Sequence, residues 1–395
     1  MKTAIIGGGA SGCACAIFAK RENPCLDITV FERNDRILKK ILSTGNGKCN
    51  LSNALISDEN YHSHNDKAVH KILTAFAEAE ERQFFESLGI LLANELGRLY
   101  PYSKRANCVS DALRFELENL GVKVKTNAFI REIKPVKDGF IIDGEPFDKA
   151  VIACGGSAAP SFGTDGNAFK LLKKAGHTIY EPKPALVALK VHENTRALKG
   201  IRAQCRISLL EKEREISSQV GELQLTDYGV SGIAVMQLSY LCRENTKISV
   251  DFFPDFSFDE LFGRLLSMRD ILSRRDGENF LTGLLHKSLA AYILNNCHIK
   301  INSPVSEISE EKLVLLAKRL KGTEFTVSSP LGWENAQTTY GGARLDEFFT
   351  DTLESRIMPN LYCIGEALDC AGDCGGYNLH WAWATAAIVG KSIAR

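Results

Sequence analysis

The sequence has little that would commit it to a charged partner, a membrane or a secreted scaffold. Lys plus Arg number 48 and so do Asp plus Glu, so there is no net charge to draw the chain onto nucleic acid or an anionic membrane. No apolar run is long enough to span a bilayer. A strand pattern starts at Lys2, so no cleaved leader is expected ahead of it. Internal repeats, low-complexity tracts and long linkers are missing. The 12 cysteines follow no framework spacing, and several fall within helix or strand patterns, so reduced thiols and a cytoplasmic setting are expected. His62, His64 and His70 are not spaced as metal ligands, and no metal is expected. The partner class that remains is a small molecule.

What is present is an ordinary globular composition over 395 residues, 45% apolar and 24% charged, enough for two domains. The opening stretch KTAIIGGGASGCACAIFAKR reads as a buried strand, a glycine turn and a small-residue helix. Gly7, Gly9 and Gly12 fit G-x-G-x-x-G: Gly7 for the tight turn, Gly9 for close approach to a pyrophosphate, Gly12 for helix–strand packing. Ala10 and Ser11 open the helix, where free N–H groups and the dipole favour phosphate. Cys13 and Cys15 read as small packing residues. Glu32 ends the next strand, DITVFER, 20 residues after Gly12, at the distance of a ribose-binding carboxylate, with Arg33 beside it. This predicts a dinucleotide site.

Three later segments make FAD the expected dinucleotide. The loop STGNGKCNLSN is poor in core residues and rich in Gly and Asn, suited to a second platform under a longer cofactor. Within it Thr44, Gly45, Asn46, Gly47, Cys49 and Asn50 are candidate contacts, and Lys39 and Lys40 add positive charge near the pyrophosphate. A third strand, Val151 to Cys154, leads into Gly155 and Gly156, with Ala153 and the preceding Ile130 as further candidates, and a second glycine turn at Gly163 and Gly166 opens a helix. Near the C-terminus a strand, Leu361 to Ile364, ends at Gly365 and Glu366, followed by Asp369. Gly375, Gly376, Tyr377 and Asn378 then start an apolar helix whose free N–H groups would stabilise negative charge on a reduced flavin.

The motifs GGGASG, KKILSTGNGKCNLSN, GRLYPYSKRANCVSDAL, ACGGSAAPSFGTDGNAFKLLKKAGH, GELQLTDYGVSG and GEALDCAGDCGGYNLHWAWAT together resemble the bacterial BaiN-like, or aminoacetone oxidase, family of FAD-binding flavoproteins, along essentially the whole chain. The resemblance implies non-covalent FAD, an α/β Rossmann-like domain of the glutathione reductase type, and an inserted, mostly β domain with helices. It also shows departures: Leu38 where Gly is frequent, Lys48 where Arg is usual, and His380 where Gln is common. The last lies near the expected ring position and bears on substrate choice.

Between Val191 and Gln337 the pattern shifts to alternating strand-like stretches and helical spacing. This predicts a discontinuous FAD domain, 1–190 and 338–395, with an inserted substrate or cap domain, 191–337, and the substrate lying between them over the flavin. Tyr100, Tyr228 and His380 are the candidate catalytic residues, and Arg98 and Tyr102 lie close to the first of them in sequence. Cys370 and Cys374 are spaced for a redox pair, though the family resemblance does not imply one. Three activities are compatible with this site. One is NAD(P)H-dependent reduction of an activated double bond by hydride from flavin N5. A second is oxidation of a small amine such as aminoacetone by oxygen. The third is a non-enzymatic redox module. No second G-x-G-x-x-G marks a separate nicotinamide domain, so NAD(P)H is expected as a transient co-substrate.

Overall fold

The computed structural model describes residues 1–395 in full and divides into two compact units, one formed by 1–185 and 333–395, the other by 186–332. The first unit is built on a five-stranded parallel sheet in the order Leu361–Cys363, Lys149–Ile152, Lys2–Ile6, Asp27–Phe31, Lys123–Lys125. These strands are short runs of β-branched and other apolar residues with almost no exposed positions at the centre, as expected of a sheet covered on both faces. A three-stranded antiparallel sheet, Lys134–Val136, Gly139–Ile142 and Glu145–Phe147, is added to the same unit.

The helix that follows the first strand, Ala10–Glu22, is buried over most of its surface because its residues are small. The C-terminal helix, Tyr377–Ile393, crosses it at close range: a Cβ at Gly390 would lie 2.9 Å from the Cys15 carbonyl oxygen. Cys13 and Cys15 are fully buried there, and burial pushes both thiols well above the ordinary cysteine range, which fits packing rather than redox chemistry. All twelve cysteines, Cys370 and Cys374 included, are free thiols. The same C-terminal helix carries Trp383, fully buried, whose indole N–H donates to the Leu51 carbonyl at 2.9 Å and so ties the helix to the end of the glycine–asparagine loop.

The second unit is a closed barrel in the order Leu189–Val191, Gly229–Ser231, Arg214–Leu225, Arg202–Glu211, Lys247–Asp251, Thr323–Pro330, with helices Phe258–Ile271, Lys287–Asn296 and Glu310–Lys321. Alternation along each strand sends Cys205, Ile207, Leu209, Ile248, Val250 and Phe325 into its core. The strand Leu189–Val191 pairs with two barrel strands, which draws the start of this unit back to Leu186, ahead of Val191 where the sequence pattern changes. No helix is long and apolar enough to cross a membrane.

Trp383→Phe keeps an aromatic ring but removes the indole N–H, leaving the buried Leu51 carbonyl without its donor. We expect a loss of about 1–3 kcal/mol in urea unfolding, the cost of an unsatisfied buried polar group. An unchanged midpoint would show that the bond contributes nothing.

Candidate dinucleotide site

The first strand delivers the chain into the glycine turn, and each glycine meets a different constraint. Gly7 has φ 118° and donates to the Phe31 carbonyl at 2.8 Å; a Cβ there would lie 2.3 Å from the Ala153 carbonyl oxygen. At Gly12 a Cβ would lie 2.0 Å from the Gly7 carbonyl oxygen, so only glycine lets the helix settle onto the turn. Gly9 is the opposite case: nothing lies within 4 Å of its missing Cβ, and it borders a cavity. The helix has no side-chain cap, so its first N–H groups remain available at that cavity.

The cavity has an empty volume of about 1220 Å³ including its mouth. Among the residues named from the sequence, Gly7, Gly9, Ala10, Ser11, Glu32, Arg33, Lys40, Thr44, Ile130, Ala153, Gly155, Glu366 and Asn378 line it. They come from five separated segments and meet because the three strands carrying the turns are adjacent in the sheet.

Glu32 is 8% exposed at the end of its strand. Its Oε2 accepts the Gly8 N–H at 2.9 Å, and its Oε1 accepts both the backbone and side-chain N–H of Asn34 at 2.8 Å. The carboxylate thus orders the glycine turn as well as facing the cavity, and with about four lone-pair sites it keeps room for one more donor. Arg33 pairs with Asp165 at 2.7 Å and lies over the Phe129 ring. Lys40 pairs with Glu366 at 3.0 Å, and the other oxygen of Glu366 accepts from the N–H and hydroxyl of Thr339. Asn378 is held by Gly372 on both sides, accepting its N–H at 2.9 Å and donating to its carbonyl at 2.7 Å.

Several expected contacts lie off the lining. Gly12 and Gly156 support it from behind; a Cβ at Gly156 would lie 2.3 Å from the Thr339 hydroxyl oxygen. The glycine–asparagine loop touches the cavity only through Thr44. Gly45, Asn46 and Gly47 are exposed, with left-handed φ of 56°, 54° and 81°, and the loop closes on itself by Lys48 N–H to Gly45 O and Cys49 N–H to Thr44 O. Nothing lies within 4 Å of a Cβ on Gly47, so its glycine answers to backbone conformation, not to a neighbour. Asn50 is half-buried, and Cys49 is fully buried with its thiol pushed up to about 12 by burial. Gly365 lies under the lining, its N–H donating to Thr385 at 3.0 Å. Gly375, Gly376 and Tyr377 form the entry of the C-terminal helix, where a Cβ on Gly376 would lie 2.3 Å from the Ser52 carbonyl oxygen. Asp369 is fully buried beside His64.

Of the catalytic candidates, none lines this cavity. Tyr100 is buried against the loop near Gly45. Tyr228 belongs to the barrel unit and is 40% exposed. His380 is buried on the core side of the C-terminal helix, where its Nδ1 meets Glu81 at 3.0 Å and Ser52 at 3.2 Å. The helical phase explains this: Asn378, Leu379, Trp381 and Ala382 face the cavity, and position 380 turns away. Asn34, Phe129, Phe162, Thr164, Asn167 and Gln337 also line the cavity, and of these only Asn34, close to Glu32, carries a sequence signal of a site.

The donor set fits a dinucleotide: an uncapped helix N-terminus beside an open glycine, a carboxylate at a strand end, and three cations on the wall, Arg33, Lys39 and Lys40. Gly9→Val is expected to fold normally, because its side chain meets only empty space, yet to lose cofactor at least tenfold by filling that space. Gly47→Ala is expected to cost about 1 kcal/mol through its positive φ while keeping full occupancy. Cofactor content and thermal unfolding of the two variants check this; loss of cofactor in the second with retention in the first reverses the assignment.

Comparison with known proteins extends along the whole chain. The family model described as HI0933-like protein Rossmann domain matches residues 1–392. A 3-dehydro-bile acid delta(4,6)-reductase of Clostridium scindens is 37% identical over 99% of this chain and 98% of its own. A ribosomal RNA dihydrouridine synthase of Haemophilus influenzae is 26% identical over 99% of this chain and 98% of its own. A solved quinol-fumarate reductase superposes with a TM-score of 0.50 at 14% identity, covering 100% of this chain and 71% of the other, which speaks for the fold alone. By its motifs and by a match running almost from end to end, the chain belongs to the HI0933-like Rossmann-domain family, the family of the BaiN-like flavoproteins.

Proposed function

We propose that the protein is an FAD-dependent reductase that delivers hydride to a carbon–carbon double bond conjugated to a carbonyl, with reduced nicotinamide as electron donor. The observation that carries this is the full-length likeness to the bile acid reductase, joined to a cavity whose residues suit the cofactor. The two relatives' names state reduction of a delta(4,6) 3-dehydro-bile acid and formation of dihydrouridine, and chemically both saturate a double bond conjugated to a carbonyl. That shared chemistry favours reduction over amine oxidation.

The bound isoalloxazine would supply two-electron hydride transfer. The chain's own residues have simpler tasks. The N-terminus of the helix Ala10–Glu22 would hold the pyrophosphate, and Glu32 would take a ribose hydroxyl at its remaining acceptor site. Glu366 anchors the Lys40 ammonium in the cavity wall, so the cation costs little reorganisation when negative charge arrives nearby.

A small-molecule substrate is favoured over RNA by the charge balance, 48 basic against 48 acidic residues, and by paired cations on the barrel strands. Lys199, Arg202, Arg206, Arg243 and Lys247 are each paired with a carboxylate, Asp227, Glu222, Glu215, Glu211 and Glu213 respectively. Cations neutralised in this way offer little to a phosphate backbone.

The purified protein is expected to release FAD on heating, to be bleached anaerobically by NADH or NADPH, and to be reoxidised by a steroid 4-en-3-one. Raising salt from about 50 to 200 mM should change its KM for this substrate by less than tenfold, whereas a phosphate-tracking enzyme loses about 10³ or more in affinity. Reoxidation by oxygen with turnover of an amine, and none by the enone, would overturn the reading.

A further inference from the structure

A histidine–aspartate pair in the first unit is unused by the function above. The strand Tyr61–His62 runs antiparallel to Ala371–Gly372, which brings Ser63 and His64 against Asp369. Asp369 is fully buried, and its Oδ2 accepts the His64 backbone N–H at 2.9 Å, meets the His64 Nδ1 at 3.0 Å and accepts the Ser63 hydroxyl at 3.3 Å. Its Oδ1 is buried without a partner. The imidazole stacks on Tyr180, centroids 3.9 Å apart and 16° from parallel, and leans on Tyr340 at 5.6 Å. Nδ1 is therefore committed to the carboxylate and the ring plane is set by Tyr180, while the side chain stays 39% exposed. The pair adjoins the cavity. Cys370, the next residue after Asp369, lines it, and so does Asn378, which is bonded to Gly372.

Holding two strands together does not require this arrangement, because the backbone pairing already does so. A buried carboxylate with one idle oxygen is a costly way to add to it. Fixing one nitrogen of a part-exposed imidazole by a buried acid is, in contrast, how a side chain is prepared to move a proton.

On the reductase reading above, we propose that His64, oriented by Asp369, is the proton donor of the reaction. The bound flavin, itself reduced by nicotinamide, would supply the hydride that forms the C–H bond at the β-carbon. The π electrons move to the α-carbon, which takes the proton from His64 Nε2, and solvent restores that proton. The ring faces the Asp369 carboxyl, and Arg344, which lies over Tyr180, is already paired with Asp346. Burial pushes the Asp369 carboxyl up, with the His64 N–H and ring pulling it back.

The test separates the half-reactions. Holoenzyme reduced with dithionite is mixed with a steroid 4-en-3-one, and flavin reoxidation is followed against pH. In His64→Gln the rate should fall about 100-fold or more, the usual share of a general acid. The fall in wild-type rate at high pH should disappear, and FAD content should not change. Imidazole added to His64→Ala should restore part of the rate, and Asp369→Asn should slow the same step. An undiminished rate in His64→Gln, or a loss traced to FAD occupancy without imidazole rescue, overturns the proposal while leaving the reductase reading in place. Failure of the wild-type enzyme to be reoxidised by any enone removes both.

Discussion

The first helix rests on the backbone of its own preceding turn, and the site is assembled around that contact. At Gly12 a methyl group would lie 2.0 Å from the Gly7 carbonyl oxygen, and at Gly7 one would lie 2.3 Å from the Ala153 carbonyl oxygen. These close approaches bring the ends of two adjacent strands and a helix N-terminus to one point. They also leave Gly9 facing empty space. The uncapped N–H groups of the helix are tolerable because a ligand anion can satisfy them. The C-terminal helix can then cross the first at Gly390, which carries the last strand's glycine turn, Glu366 and Asn378, to the same cavity.

Around that contact the charged groups are arranged in held pairs. Glu32 is tied to Gly8 and Asn34, Glu366 to Lys40 and Thr339, Arg33 to Asp165, and Asp369 to His64. Each pair fixes a dipole or charge before a ligand arrives, so little reorganisation is left for binding or reaction to supply. In the barrel the paired charges lie along exposed strand faces instead, where they contribute little to stability and chiefly remove free positive charge.

The local chemistry was legible in the chain because it is written in short spacings. G-x-G-x-x-G after a strand, an acid 20 residues on, and glycines at the ends of two later strands name the dinucleotide half of the site without any coordinates. The α/β class follows from patterns of similar range, and a mostly β insert is what the family resemblance implies. His380 was less legible, because a motif position near the start of a helix does not reveal which way the helix is turned. Four neighbours in the helix face the cavity and this residue meets Glu81 in the core. The loop STGNGKCNLSN likewise announces its glycines and asparagines but not that they are used to turn the loop back on itself.

By itself, then, the sequence determined the strand–turn–helix units and the cofactor class they serve, since these depend on contacts between residues a few positions apart. The order of the strands, the pairing of Lys40 with Glu366 across 326 positions and that of His64 with Asp369 across 305 were decided only in the tertiary structure. Such pairs depend on which elements become neighbours in the sheet, and close spacing along the chain carries no record of that.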